Sequence, residues 1–186
     1  TASKNVAIGN NALLVNTTGT QNVALGTNAL DAAVSVNNNT AIGYNALTVC
    51  TIGDNTAVGA ESMAATTTGT YNTAVGKNSL NANTTGARNV ALGFASLGAN
   101  TTGLYNIGIG FEALDANTTA SGNTSIGYNS MGANTTGAAN VAMGFNALDA
   151  NTTAGSNVAI GYSAMSANTT GADNVAIGTE TMLANT

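Results

Sequence analysis

The chain has 186 residues, a formal net charge of −5, 6% charged residues and 4% aromatic residues. Its side chains include three Lys or Arg and one cysteine, with no histidine, proline or tryptophan. So few cations exclude an extended phosphate-binding surface, and we expect no nucleic-acid partner. One cysteine excludes an intrachain disulfide, and without histidine an ordinary Cys/His zinc site is excluded. No apolar run approaches the length of a membrane span, so we expect no membrane insertion in this segment.

A pentapeptide of the form Asn-Val-Ala-Ile-Gly recurs from one end of the chain to the other. Its eleven glycines are seventeen residues apart in nine of ten intervals, and the interval from Gly43 to Gly59 is sixteen. A short, strict period is typical of a solenoid, whose rungs cannot bury their apolar faces alone. We therefore predict an all-β fold, a parallel β-solenoid (β-roll) of eleven rungs, as a single repeat array over residues 1–186.

Each rung begins with an asparagine four residues before its glycine. Asparagine favours turns because its side chain hydrogen-bonds nearby backbone groups. Identical side chains stacked on successive rungs also form ladders along the axis. We predict that these residues turn the chain at a corner and form a structural ladder: Asn5, Asn22, Asn39, Asn55, Asn72, Asn89, Asn106, Asn123, Asn140, Asn157 and Asn174.

The strand that follows carries Val, Thr or Ile three residues before the glycine and an aliphatic residue or Met one residue before it, as at Val141 and Met143. These positions share a parity and therefore share a face of the strand. Four residues after the glycine, every unit has Leu or Met, as at Leu148. We predict that these three positions form a thin core between two sheets, with two short strands in each rung.

The residue between the two apolar strand positions is never larger than serine. An exposed strand position would drift toward larger polar residues, so something is expected to approach this face closely. Either the small residues are merely tolerated there, or they form a subunit interface near a symmetry axis. The candidate interface residues are Ala7, Ala24, Ala41, Ala57, Ala74, Ala91, Ala142, Ala159 and Ala176.

The turn between rungs reads Ala-Asn-Thr-Thr-Gly in its regular form, as at residues 82–86. Asn, Thr and Gly all favour turns, and their side chains are expected to hydrogen-bond along the axis. The same segment contains Asn-x-Thr, for example at Asn83, Asn100 and Asn134. These asparagines either accept glycans in a eukaryotic secretory route or are a by-product of the turn.

Aromatic residues follow the glycine directly in five consecutive units. Rings at the same position of stacked rungs should form a ladder, which stabilises the stack or packs against a neighbouring chain. The alternative is a stripe on which sugars stack. The residues of this candidate aromatic stripe are Phe94, Phe111, Tyr128, Phe145 and Tyr162.

Few side chains in this sequence support catalysis. Asp115 and Asp149 share a phase but lie two rungs apart, and no histidine is present to activate the thiol of Cys50. General acid–base pairs need a shaped, partly desolvated site, and the repeat builds none that the sequence reveals. We predict a protein that is not an enzyme, with no cofactor and no metal.

The units Asn5–Gly9, Asn157–Gly161 and Asn174–Gly178 resemble the head repeats of YadA-like trimeric autotransporter adhesins. The longer unit, Asn-Thr-Thr-Gly-x-x-Asn-Val-Ala-Ile-Gly-x-x-Ala-Leu, is similar to repeats of phage tail-fibre proteins. The resemblance covers the whole chain and implies a left-handed β-roll, three chains around one axis, and an extracellular place on a cell or virion surface. The period departs from YadA-like heads, because seventeen residues is longer, with the extra residues in the turn.

Together these features predict the structural shaft of a homotrimeric surface fibre or filament. Open solenoid ends favour end-to-end stacking or continuation into a longer fibrous protein. A host surface or glycan receptor would then be bound through flanking regions. Two alternatives remain: an ice-binding solenoid that uses uncharged Thr, Ala and Asn columns, and a glycan-binding adhesin that uses the aromatic stripe.

Overall fold

The computed structural model describes residues 1–183 and contains eleven short strands, one in each repeat. Each strand comprises the three residues that precede the repeat's glycine. The strands are β1 Val6–Ile8, β2 Val23–Leu25, β3 Thr40–Ile42, β4 Thr56–Val58, β5 Thr73–Val75, β6 Val90–Leu92, β7 Ile107–Ile109, β8 Thr124–Ile126, β9 Val141–Met143, β10 Val158–Ile160 and β11 Val175–Ile177.

These strands form one parallel sheet in which the spatial order is the chain order. Equivalent positions pair throughout, for example Ala142 with Ala159 and Met143 with Ile160. Backbone hydrogen bonds link each rung to the next, such as Val141 N–H to Asn157 O at 2.8 Å. The predicted fold class is therefore confirmed: the chain is an all-β solenoid with a seventeen-residue repeat, and residues 1–183 contain no helix.

The prediction of a second strand in each rung is wrong. The side of the rung opposite the sheet contains residues with positive φ two and four positions after the glycine, such as Glu112 (φ 52°) and Leu114 (φ 57°). Alternating conformations of this kind break the extended geometry that a strand requires. Successive rungs still hydrogen-bond there, for example Leu97 N–H to Ala113 O at 3.0 Å. The solenoid is thus one sheet closed by a stacked turn.

The side of each strand that is buried is the opposite of the predicted one. The central residue of each strand from β2 to β11 is buried, whereas the Val and Ile positions on either side are half-buried or exposed. Leu and Met from the turn fill the interior, and Leu30 to Met165 of this column have no exposed surface. Because each rung encloses so little space, only Ala, Gly or Ser fits opposite them.

The Ala column is therefore no subunit interface in this fold. Of the nine candidates, Ala24, Ala41, Ala57, Ala74, Ala91, Ala142, Ala159 and Ala176 are 0–2% exposed in the single chain. Such side chains are already covered by their own chain and have no surface left for another. Ala7, in the first rung, is exposed. The small size of these residues follows from packing inside each rung.

The sixteen-residue unit leaves the sheet undisturbed. Thr40 pairs with Thr56 and Ile42 with Val58 in the same register as every other pair. The missing residue falls in the turn before Asn55. Cys50 is fully buried in that turn, and its thiol donates to the carbonyl oxygen of Ile52 at 2.6 Å. Burial raises the pKa of the Cys50 thiol, which keeps it in the less reactive protonated form.

The repeat glycines fit a backbone position that other residues would not. Gly110 has a φ of +138°, and a Cβ added there would clash with the carbonyl oxygen of Gly127 in the next rung. The same clash recurs at the equivalent glycine of nearly every repeat. Both the backbone angle and the close approach of adjacent rungs therefore require glycine.

We predict that Gly110→Ala destabilises the chain by about 3 kcal/mol or more, because strain and a backbone clash act together. Thermal or urea unfolding followed by circular dichroism measures this. Gly122→Ala is the matched control: its φ is +73°, but an added Cβ meets nothing nearer than 4.0 Å. Equal losses in the two variants would show that rung contact does not set the glycine requirement.

Candidate functional site

The predicted asparagine ladder is present and runs without a break from Asn5 to Asn174. The backbone N–H of each of these residues, from Asn22 onward, donates to the side-chain oxygen of its counterpart in the preceding rung, at 2.8–3.0 Å. The side-chain amide donates in turn to a turn carbonyl of the following rung, as from Asn106 to Ala120 at 2.8 Å. The ladder thus satisfies backbone groups at the corner where the strand begins.

A second ladder runs through the turn asparagines. The amide of Asn100 donates to Asn83 Oδ1 at 3.0 Å, and the series continues to Asn168. Asn83, Asn100 and Asn134 are fully buried. A glycan on any of these nitrogens would have to break the ladder, so the alternative of glycan acceptance there is wrong for this fold, and Asn-x-Thr is a by-product of the turn.

We predict that Asn106→Asp destabilises the chain by about 3 kcal/mol or more at neutral pH. The change replaces a buried donor to Ala120 O by a buried carboxylate with no counter-ion. The matched control is Asn129→Asp, at a half-buried position whose side chain makes one long bond, 3.4 Å to Asn146. Denaturant unfolding of both variants measures the difference, and equal stabilities would contradict the role given to the ladder.

The aromatic stripe forms a continuous stack of five rings. Centroids of neighbouring rings are 4.9–5.4 Å apart and the interplanar angles are 5–15°, from Phe94 to Tyr162. All five side chains are exposed at their margins. The faces of the three inner rings are covered by their neighbours, so those rings present edges to solvent.

We predict that Tyr128→Leu costs about 1–3 kcal/mol more than Tyr44→Leu. Tyr128 stacks on two rings, each contact being worth about 0.5–1.5 kcal/mol beyond apolar burial. Tyr44 occupies the same position in its repeat, between Thr27 and Ala60, and is similarly exposed. Chemical unfolding gives both values. If the losses match, the stack adds nothing to stability.

Arg88 forms a second aromatic cluster, which the sequence reasoning missed. Its guanidinium carbon lies 5.4 Å from the ring centre of Tyr71 and 5.5 Å from that of Tyr105. These distances are in the range of cation–π attraction. The sequence does contain a signal for this cluster, because Arg88 lies seventeen residues from each of two tyrosines and therefore stacks between them.

A shallow groove of about 330 Å³ crosses the turn side of the solenoid. The residues that line it are Glu61, Asn78, Asn81, Ala95, Gly98, Ala99 and Asp115. Burial, and then repulsion from Glu112, raises the pKa of Asp115. No motif in the sequence marks this groove, because its residues come from separate repeats.

The raised pKa of Asp115 predicts a pH effect on stability. The folded chain holds this proton more tightly than the unfolded chain, whose Asp titrates near pH 4. The free energy of unfolding should therefore fall as pH rises from below about 4 through the raised pKa. Asp115→Asn should flatten the curve of melting temperature against pH over this range. Parallel curves for the two proteins would contradict this.

The outer surface of the sheet is exposed along the whole stack. We define the Val/Ile face as the first and third residues of each strand from β1 to β11. All of these side chains are Val, Ile, Leu, Met or Thr, and none is fully buried. The face carries no charge along its whole length. Exposed apolar surfaces of this extent mark interaction sites.

Comparison with known proteins found no matching family model, no matching curated protein and no matching solved structure. The resemblance to YadA-like and tail-fibre repeats therefore stays a prediction. Within residues 1–183 there is no group of three or more His, Cys, Asp or Glu side chains that could hold a metal ion. The same residues contain no helix long and apolar enough to cross a membrane.

Proposed function

We propose that this chain is a non-catalytic structural segment, the shaft of a surface fibre that holds another element away from a cell or virion. The observation that carries the proposal is the unbroken register of the sheet, in which every rung repeats the contacts of the last. A stack of this kind resists bending because each rung is held by backbone bonds and by side-chain ladders. Eleven rungs at about 4.8 Å give a rod about 50 Å long.

The extracellular location and the assembly of three chains belong to the same proposal and are supported by the resemblance of the repeats. In this reading the shaft needs no receptor site of its own. A host surface or glycan would be bound by regions attached to the shaft, and rods would join end to end or continue into further repeats.

The glycan-binding alternative gains little from the aromatic stripe. Sugars stack on ring faces, whereas the faces of Phe111, Tyr128 and Phe145 are covered by neighbouring rings. These three inner rings therefore leave no free face for a sugar. Binding of free glycans that is lost in the double variant Phe111→Ala/Tyr128→Ala, with folding retained, would restore this alternative.

The ice-binding alternative requires a flat array of uncharged groups. In the turns at residues 82–86, 99–103 and 133–137 the first Thr donates to a carbonyl of the next rung, as from Thr101 to Thr118 at 3.0 Å, and only the second Thr is exposed, as at Thr102. A single exposed Thr column gives less support than a paired array. Thermal hysteresis of the purified chain would favour ice binding over the shaft.

The proposed function is tested by antibodies against this chain, applied with gold labels to the intact cells or virions that produce it. We expect label along threads that project from the surface. Label confined to the cell interior, or inside the particle, would overturn the proposal. A preimmune serum and a deletion of the coding region are the controls.

A further inference from the structure

We propose that the Val/Ile face is the surface through which a second copy of this chain packs. This inference rests on the proposed function, because a fibre shaft requires copies that lie side by side with parallel axes. It adds the surface through which those copies contact each other. It replaces the interface that the sequence placed on the Ala column, on the other side of the same strands.

The distribution of charge is the first argument. All eleven charged side chains lie outside the strands, so the 22 positions of the face contain none. A sheet face that remains exposed to water normally carries polar or charged residues. Here the only polar residues are four threonines, in β3, β4, β5 and β8. The face therefore has the composition of a covered surface.

The second argument is the area. The face is about 48 Å long, at about 4.8 Å per rung, and about 10 Å wide, and the bordering aromatic stripe widens it to about 13 Å over five rungs. Two such surfaces would bury roughly 1,100 Å², close to the lower limit of about 1,200 Å² for a specific, stable interface. Aromatic residues at its border are also typical of interfaces between proteins.

The third argument identifies the partner. Side chains on the face repeat once per rung and in register from β1 to β11. A surface with the same repeat distance can place its side chains between these rows over the full length, whereas a surface without it matches only locally. A second copy has this period, and no charged side chain occupies any of the 22 positions of the face, so two copies bring no like charges together there.

Sedimentation velocity and mass measurement of the purified chain test the proposal first. We expect a particle of two or more chains. Ile107→Lys/Met143→Lys, at positions 36% and 38% exposed in the single chain, should raise the dissociation constant at least about a hundredfold, since it buries unpaired charge in the contact. Thr102→Lys/Thr136→Lys adds the same charge to exposed turns of the same two repeats and should leave the mass unchanged.

A second measurement stays decisive if the lysine variants fail to fold. Met143→Cys should react with a maleimide at least about tenfold more slowly than Thr136→Cys in the assembled protein, because only the former is covered. Cys50 is fully buried within its own chain.

A monomeric chain, or equal labelling at the two positions, would overturn the proposed interface. So would an assembly that survives the change at Ile107 and Met143 in folded protein. Surface labelling of cells or virions is independent of these results. The interface and the proposed function can therefore fail separately.

Discussion

The whole structure depends on hydrogen bonds that run along the axis from one rung to the next. A rung of seventeen residues is too small to satisfy its own backbone, so strand, corner and turn all pair with their counterparts above and below. Buried backbone groups left without partners would each cost free energy comparable to a lost hydrogen bond. The two asparagine ladders serve this need at the corner and in the turn, where backbone groups face inward.

The same constraint explains conformations that would be unfavourable elsewhere. Leu or Met occupies a left-handed conformation in every repeat, with φ between 47° and 57°. Branched and bulky residues adopt it rarely, at a cost of about 1–2 kcal/mol each. Here the conformation turns the side chain into the interior, where it packs against the small strand residues. Burial of a large apolar side chain, worth about 1.5–3 kcal/mol, offsets the strain.

Much of this fold could be predicted from the sequence, because the period fixes which residues stack on one another. Asn106 and Leu114 were correctly expected in a ladder and in the core. Which face of each strand is buried could not be predicted in the same way. Alternation shows that Val141 and Met143 share a face, but it does not say which face is inside. The small Ala142 fits either a contact between chains or a narrow interior, and only the space left by the buried Leu and Met side chains decides between them.

The candidate surfaces were predictable where they follow the period and hidden where they do not. The five aromatic residues share one repeat position and therefore stack. The groove beside Asp115 is lined by residues of four successive repeats, and no motif marks it. The Val/Ile face is visible as a pattern, but the sequence alone favours the core for it, since long apolar columns normally lie inside a protein.

Amide hydrogen exchange of the folded chain, resolved residue by residue, tests the central claim most directly. If axial bonds hold the fold, the amides of the corner asparagines from Asn39 to Asn157, which donate to side-chain oxygens, should exchange as slowly as the strand amides beside them. Protection should be nearly uniform across these rungs and weaker at the two ends. Fast exchange at these asparagines beside slow strand amides would contradict the account, because the corner ladder would then contribute little to holding the rungs together.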